Sequence, residues 1–427
     1  MNTKLYMLLL VIIMATSCSE KTKTITNPED YNQFLTLQTN TETINATSDY
    51  NFWTKKLEAT PNQFSYLSQI AGAESRLFKS TGNIKHLKSA EQSLITLNEQ
   101  TQYNSAGHLR ALARNYISQH KFKQALELLI KAEENGQNLN GTKKMLFDVH
   151  MELGDFGIAK NYLEDVKDLN DFGYLIRLSK WSDYKGDLAS AINYLERATL
   201  KAESSKLDNL MEWSYTNLAD FYGHDGQIEK SYNYYLKSLA LNPDDAYAKK
   251  GIAWIVYSHE KNASEANRIL DAITQLHNAP DYLLFKAEIA EYENNIDAKN
   301  KYLASYFEAI DNKDYGDMYN VYSSKILADT KNEKAITLAK IEVENRPTPL
   351  SYDLLAWSYY NNGDVKKALT IAEQYVLGQT FEPEAQYHIA AIYKANGKLK
   401  EVAELKKELQ ESSYELGPLT TKVVNQL

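Results

Sequence analysis

Hydrophobic positions along the chain recur in a fixed pattern. Between Glu212 and Asp245, Tyr215, Leu218, Ala219 and Tyr222 keep the i, i+3, i+4, i+7 spacing of one helical stripe. Gly226-Gln227 interrupts that stripe, Ser231, Tyr235 and Ser238 resume it on a second helix, and Asn242-Pro243-Asp244 closes the unit. The same helix–turn–helix pattern repeats from about Asn51 onward. It predicts turns at Gly82, His120, Gly154, Gly186, Gly226, Lys261, Asn295, Thr330, Gly363 and Gly397, spaced 32 to 40 residues apart. Five residues after most turns stands a small residue, where two helices must approach closely: Ala125, Ala159, Ala191, Ser231, Ala266, Ala335 or Ala368. Leu87, Asn300 and Val402 depart from this, so the first, seventh and tenth units are irregular. A recurring aromatic place in the first helix holds Phe78, Tyr116, Tyr222, Tyr257, Tyr359 and Tyr393.

Apolar and small residues at these places, a turn between paired helices and a closing proline resemble the tetratricopeptide repeat (TPR). The resemblance implies an all-α fold, a right-handed α-solenoid superhelix of about ten helix pairs over residues 51–411. Each pair buries its apolar face only against its neighbours, so one continuous core replaces two or three domains. Interleaved Lys and Glu from Glu401 to Glu411 predict a polar terminal cap, followed by a C-terminal cap or tail over residues 412–427. Composition agrees, since 17 glycines and 8 prolines in 427 residues is about half of average usage. Helix interiors exclude both residues.

The first residues follow a different rule. Lys4 precedes ten uncharged, mostly apolar residues, Leu5 to Met14, too few to span a bilayer but the right length for a secretory signal. Ala15-Thr16-Ser17 then leads directly into Cys18, the sole cysteine. This resembles the lipobox of bacterial lipoproteins, which implies a signal peptide over residues 1–17 and lipidation of Cys18 by palmitate-type chains. Ser19 stands after Cys18 in place of an inner-membrane retention aspartate, so the expected location is the outer membrane of a Gram-negative cell envelope. Residues 18–50, rich in Thr and Asn, read as a tether, with a short helix over Tyr31 to Leu37.

Motifs for chemistry are missing. Asp155-Phe156-Gly157 and Asp171-Phe172-Gly173 spell a kinase tripeptide, but no phosphate loop or catalytic loop accompanies them. His259-Glu260 starts a zinc-protease motif that Ala263 breaks. One cysteine excludes a disulfide framework and a Cys-rich zinc site. No metal, cofactor or catalytic residue is expected, and the protein reads as a non-enzyme. A net charge of −9 argues against nucleic acid as the main partner, because phosphate binding rests on clustered Lys and Arg.

In TPR proteins the first helix of each pair lines a concave groove. That resemblance assigns Arg110, Arg114, Lys144 and Lys180 to a basic first half of the groove. It assigns Trp213, Tyr282, Phe285, Trp357, Tyr360 and Tyr387 to an aromatic second half. Such a surface suits an extended peptide with acidic groups at one end and apolar side chains at the other. The expected function is a membrane-anchored scaffold for a protein or peptide, resembling TPR lipoproteins of the Bacteroidota. The alternatives are a SusD-like glycan-binding lipoprotein and an assembly lipoprotein for outer-membrane barrels.

Overall fold

A computed structural model describes residues 24–36 and 39–427. The signal peptide read over residues 1–17 and the lipidation of Cys18 therefore lie outside the described residues. Those described form 23 α-helices and no strand. They are α1 (Pro28–Leu35), α2 (Thr41–Ala59), α3 (Ser65–Thr81), α4 (Ile84–Gln100), α5 (Ala106–Ser118), α6 (Phe122–Asn135), α7 (Leu139–Glu152) and α8 (Phe156–Asp165). The middle of the chain supplies α9 (Phe172–Tyr184), α10 (Leu188–Ser205), α11 (Asp208–His224), α12 (Ile228–Leu241), α13 (Ala246–Trp254), α14 (Ala263–Thr274), α15 (Asp281–Tyr292) and α16 (Ile296–Ile310). The last seven are α17 (Asn320–Asp329), α18 (Lys334–Asn345), α19 (Pro349–Asn361), α20 (Val365–Ile371), α21 (Pro383–Ala395), α22 (Leu399–Glu411) and α23 (Ser413–Val424). Two helices end in a π turn, α13 at Ile255–His259 and α20 at Ala372–Val376.

From α3 to α22 these helices form ten pairs, and every predicted turn falls between the two members of a pair. The small residues after the turns are sealed in the helix crossings: Ala125, Ala159, Ala191, Ser231, Ala266 and Ala368 are fully buried. Asn300, which breaks the pattern, is exposed, and Tyr306 is the buried residue of α16. Four turns lack glycine, yet each places a residue in the left-handed region: His120, Lys261, Asn294 and Lys331. In the seventh pair this is one place before the predicted Asn295, because the Asn295 side chain caps α16 by accepting from the Ala298 amide.

Successive turns of the solenoid lie against each other. The Asn278 amide donates to the Thr81 carbonyl at 2.8 Å. Arg346 reaches Glu152, 194 residues earlier, at 3.2 Å, and Lys123 reaches the Glu344 carbonyl at 2.8 Å. One superhelical turn thus takes roughly five to six units of 34 residues. The seam explains one glycine. Gly154 has φ 79°, and a Cβ there would lie 2.9 Å from the Pro347 carbonyl oxygen of the next turn. Gly154→Ala is expected to cost about 1–3 kcal/mol from backbone strain alone, with the clash added. Gly397→Ala, where φ is 78° and the space is open, carries only the first cost. Thermal melts compare the two, and equal losses would mean that the seam is not tight at Pro347.

Both ends correct the sequence reading. Residues 28–35 and 41–59 are helical where a tether is expected up to residue 50. Helix α1 is a strap on the outer face of the fifth and sixth pairs. Its Tyr31 is 1% exposed and donates to Glu265 at 2.7 Å, while Tyr232 donates to Asp30 at 3.0 Å. The Ile25 and Thr26 amides both donate to Glu260, at 2.7 and 2.6 Å. Helix α2 then packs on α3 and opens the array. At the other end α22 forms the last pair as expected, but residues 413–424 are no free tail. Gly417, at φ 72° and ψ 170°, kinks α23 so that it turns back into the concave side. There it packs on α11, the π turn of α13, α15 and α21, all of them first helices of their pairs.

Candidate functional site

The first helices of the later pairs and α23 enclose an axial chamber of about 740 Å³. Trp254 comes from α13, Glu288 from α15, Lys325 and Asp329 from α17, Trp357 from α19, Tyr387 and His388 from α21, and Glu415, Leu416 and Leu419 from α23. Glu382 and Glu415 also line a second cavity of about 400 Å³, beside Lys180, Asp183, Tyr184, His224, Arg346 and Phe381. These two carboxylates border both spaces. Their sizes fall in the range of small-molecule and side-chain pockets.

The chamber walls are aromatic and acidic. Trp357 stacks on His388 at 4.0 Å and on Tyr360 at 5.0 Å, with Tyr387 at 5.6 Å. Trp254 meets Phe285 at 5.4 Å, and Gly417 of α23 passes close to the Trp254 ring and to Glu288. Some charges are matched: Lys325 pairs with Glu384, and buried His388 pairs with buried Asp353 at 2.8 Å. Lys180 and Arg346 both pair with Glu152, at 2.9 and 3.2 Å. Among the described residues Glu288, Asp329, Glu382 and Glu415 form no ion pair. Their environment favours the neutral acid. Burial, with Glu291 and Glu384 nearby, pushes Glu288 up to about 7. Partial desolvation and the adjacent Glu415 do the same to Glu382, also to about 7, although its side chain keeps contact with solvent. Burial likewise raises Asp329 and Glu415.

The residues singled out by sequence divide into three groups. Trp357, Tyr360 and Tyr387 come together as one cluster at the chamber, and Phe285 stands behind Trp254. Lys180 borders the second cavity but is engaged by Glu152. The remaining five lie elsewhere. Arg110 donates to the Gln137 carbonyl and to Thr142, and Lys144 is neutralised by Asp171 at 2.5 Å. Arg114 is exposed, and Trp213 stands edge-on to Phe172. Tyr282 is buried, its hydroxyl 3.1 Å from His277 Nδ1. The described groove is thus richer in unpaired carboxylate than in free cation.

Sequence reasoning passed over Trp254, Glu288, Glu382 and Glu415. Trp357 lies six residues before its turn at Gly363, whereas Trp254 lies seven before Lys261, because the π turn Ile255–His259 inserts one residue. Glu382 and Glu415 belong to a loop and a folded-back helix that no repeat register reaches.

Residues 214–245 match the family model described as tetratricopeptide repeat. No curated protein matches the sequence. Among solved structures, the human IFIT1 dimer with PPP-AAAA is similar at 14% identity and TM-score 0.46, over 73% of this chain and 71% of that one. Pseudomonas aeruginosa pilF is similar at 17% identity and TM-score 0.37, over 49% of this chain and 94% of that one. At such scores neither likeness carries information on ligands. Residues 214–245 are thus a tetratricopeptide repeat, and nine further helix pairs stack with it in a helical solenoid of the same type.

Proposed function

We propose that the protein is a lipid-anchored, non-catalytic scaffold whose axial chamber holds a basic, partly apolar segment of a partner polypeptide. One observation carries this reading: Glu288, Asp329, Glu382 and Glu415, none of them in an ion pair, face a chamber walled by Trp254, Trp357 and Tyr387, whose lining lysines are Lys325, paired with Glu384, and Lys422. A Lys or Arg side chain supplies the missing charge and packs its stem on the rings. The proposal reverses the charge expected of the partner from Arg110 and Arg114. Carboxylate walls repel a phosphate backbone, so nucleic acid stays disfavoured. The anchor is Cys18, on the strength of its lipobox-like context, and the outer membrane is the proposed location. Mass spectrometry of the N-terminal peptide from native membranes tests the anchor; an unmodified Cys18 would overturn it.

The chamber reading has a pH signature. A cationic ligand binds the ionised form of Glu288 and Glu382, both near 7 in the free protein. Affinity is therefore expected to rise as pH increases from 6 to 8, by about tenfold for one full pKa unit of coupling. Binding also releases protons, which calorimetry in buffers of different ionisation enthalpy detects. A flat profile would remove these two carboxylates from the site.

A further inference from the structure

The way the chain enters the fold fixes an orientation. In the first, third and fourth pairs the turn between the two helices abuts a later superhelical turn: Gly82 meets Ala279, Gly154 meets Pro347 and Gly186 meets Phe381. This edge of the helical ribbon is therefore buried in the seam for the early pairs. The sixth to tenth pairs have no turn beyond them, so their edge is the open end of the solenoid. At Gly363 and Gly397 no atom lies within 4 Å of the place a Cβ would occupy. The strap begins on this open edge, because Ile25 and Thr26 are held by Glu260, at the turn of the sixth pair.

Six residues separate Cys18 from Ile25, and the seven steps between them reach at most about 25 Å even when fully extended. The edge itself is suited to a lipid surface. Lys331, Lys334, Lys366, Lys367 and Lys400 are exposed on the turns of the eighth to tenth pairs, against Asp329, Glu333 and Asp364, while the seventh turn exposes Glu293 and Asp297. Leu399 is 64% exposed and Ile296 is 54% exposed, both at the first position of a second helix. In a chain of net charge −9, the turns of the eighth to tenth pairs carry a local excess of cation.

We infer that the open edge of the sixth to tenth pairs faces the bilayer, with its lysines at the headgroup phosphates and Leu399 and Ile296 at the interface. This rests on the proposed lipidation of Cys18. With the strap held on the fifth and sixth pairs, only residues 19–24 lie between the anchor and the body, which limits how far the body can turn. Lysines near an anionic surface contribute to such an attachment, and one acyl chain benefits from a second signal of this kind.

The test uses the full chain, acylated in cells and reconstituted into vesicles of phosphatidylethanolamine and phosphatidylglycerol carrying a lipid-borne quencher. With Cys18 blocked by its acyl group, a single introduced cysteine carries the fluorophore. Leu399→Cys and Lys366→Cys report the open edge, and Lys167→Cys, between the third and fourth pairs, reports the opposite edge. Quenching is expected to be at least threefold stronger at the first two positions. In a Tyr31→Ala background, which frees the strap, the difference is expected to vanish while the protein stays on the vesicles. Equal quenching at both edges of the acylated wild-type strap would overturn the orientation and leave the anchor intact. An unacylated Cys18 in the mass spectrum would overturn both.

Discussion

Replacing Leu416 by aspartate is expected to detach α23 and leave the rest of the array folded. Leu416 is buried in a cluster with Ala390, Leu409 and Val424. A carboxylate there has no cation to meet and must either stay desolvated or pull the helix out. Burying it unpaired costs about 3 kcal/mol or more. The helix is terminal and crosses the groove, so its release breaks no link between neighbouring pairs. Hydrogen exchange over residues 413–424 should lose protection by a factor of about 100, while α5 to α10 keep theirs. The chamber should lose Glu415 and one wall, and with them at least tenfold in affinity for a basic segment. Retained protection in the variant would mean that α23 is held by other contacts, chiefly the bond from Ser258 Oγ to the Tyr414 carbonyl at 2.5 Å.

The second large effect is expected at the seam. Glu152 sits between Lys180 and Arg346, which come from different superhelical turns. Burial raises the Glu152 carboxyl, but the two cations overcome this and hold it below its ordinary value. Glu152→Ala leaves two like charges facing each other. Removing one partner of a buried pair costs 3–5 kcal/mol, and partial exposure of this site reduces the expectation to about 2 kcal/mol. The pH dependence follows from the lowered value. The contribution of Glu152 is complete above the unfolded carboxyl value of about 4.3 and is lost as pH falls through the lower folded value. Wild-type stability should therefore fall on acidification, and Glu152→Gln should remove part of that slope. Chemical denaturation between pH 3 and 6 measures both; an unchanged slope would show that other carboxylates carry the acid response.

Much of the fold was legible because a repeat is a local signal. Ala159 and Ala191 sit five residues after their turns, and both are fully buried where the helices cross. The turns were legible even without glycine, since His120 and Lys261 adopt the left-handed conformation that the position requires. What escaped is non-local. Tyr31 is a lone apolar residue in a polar stretch, and Glu265, which accepts its hydrogen bond, lies more than 200 residues away. Nothing in the periodicity around Leu416 says that its helix folds back over the groove. The site was half legible for the same reason. Trp357 and Tyr387 follow the register, whereas Trp254 is displaced by a π turn and Glu382 and Glu415 lie outside every register. Two of the four basic positions, Lys144 and Lys180, are quenched by acids from neighbouring elements, Asp171 and Glu152.

The chamber's ligand chemistry is tested most directly by calorimetric titration of the full chain. The injected ligands are a peptide of alternating Lys, Arg and Leu, an acidic peptide of the same length, and oligosaccharides. The account predicts one site for the basic peptide, at least tenfold weaker in the Glu288→Gln, Glu382→Gln double variant, and no heat from the other two. Binding of the acidic peptide or an oligosaccharide, with none of the basic peptide, would contradict it.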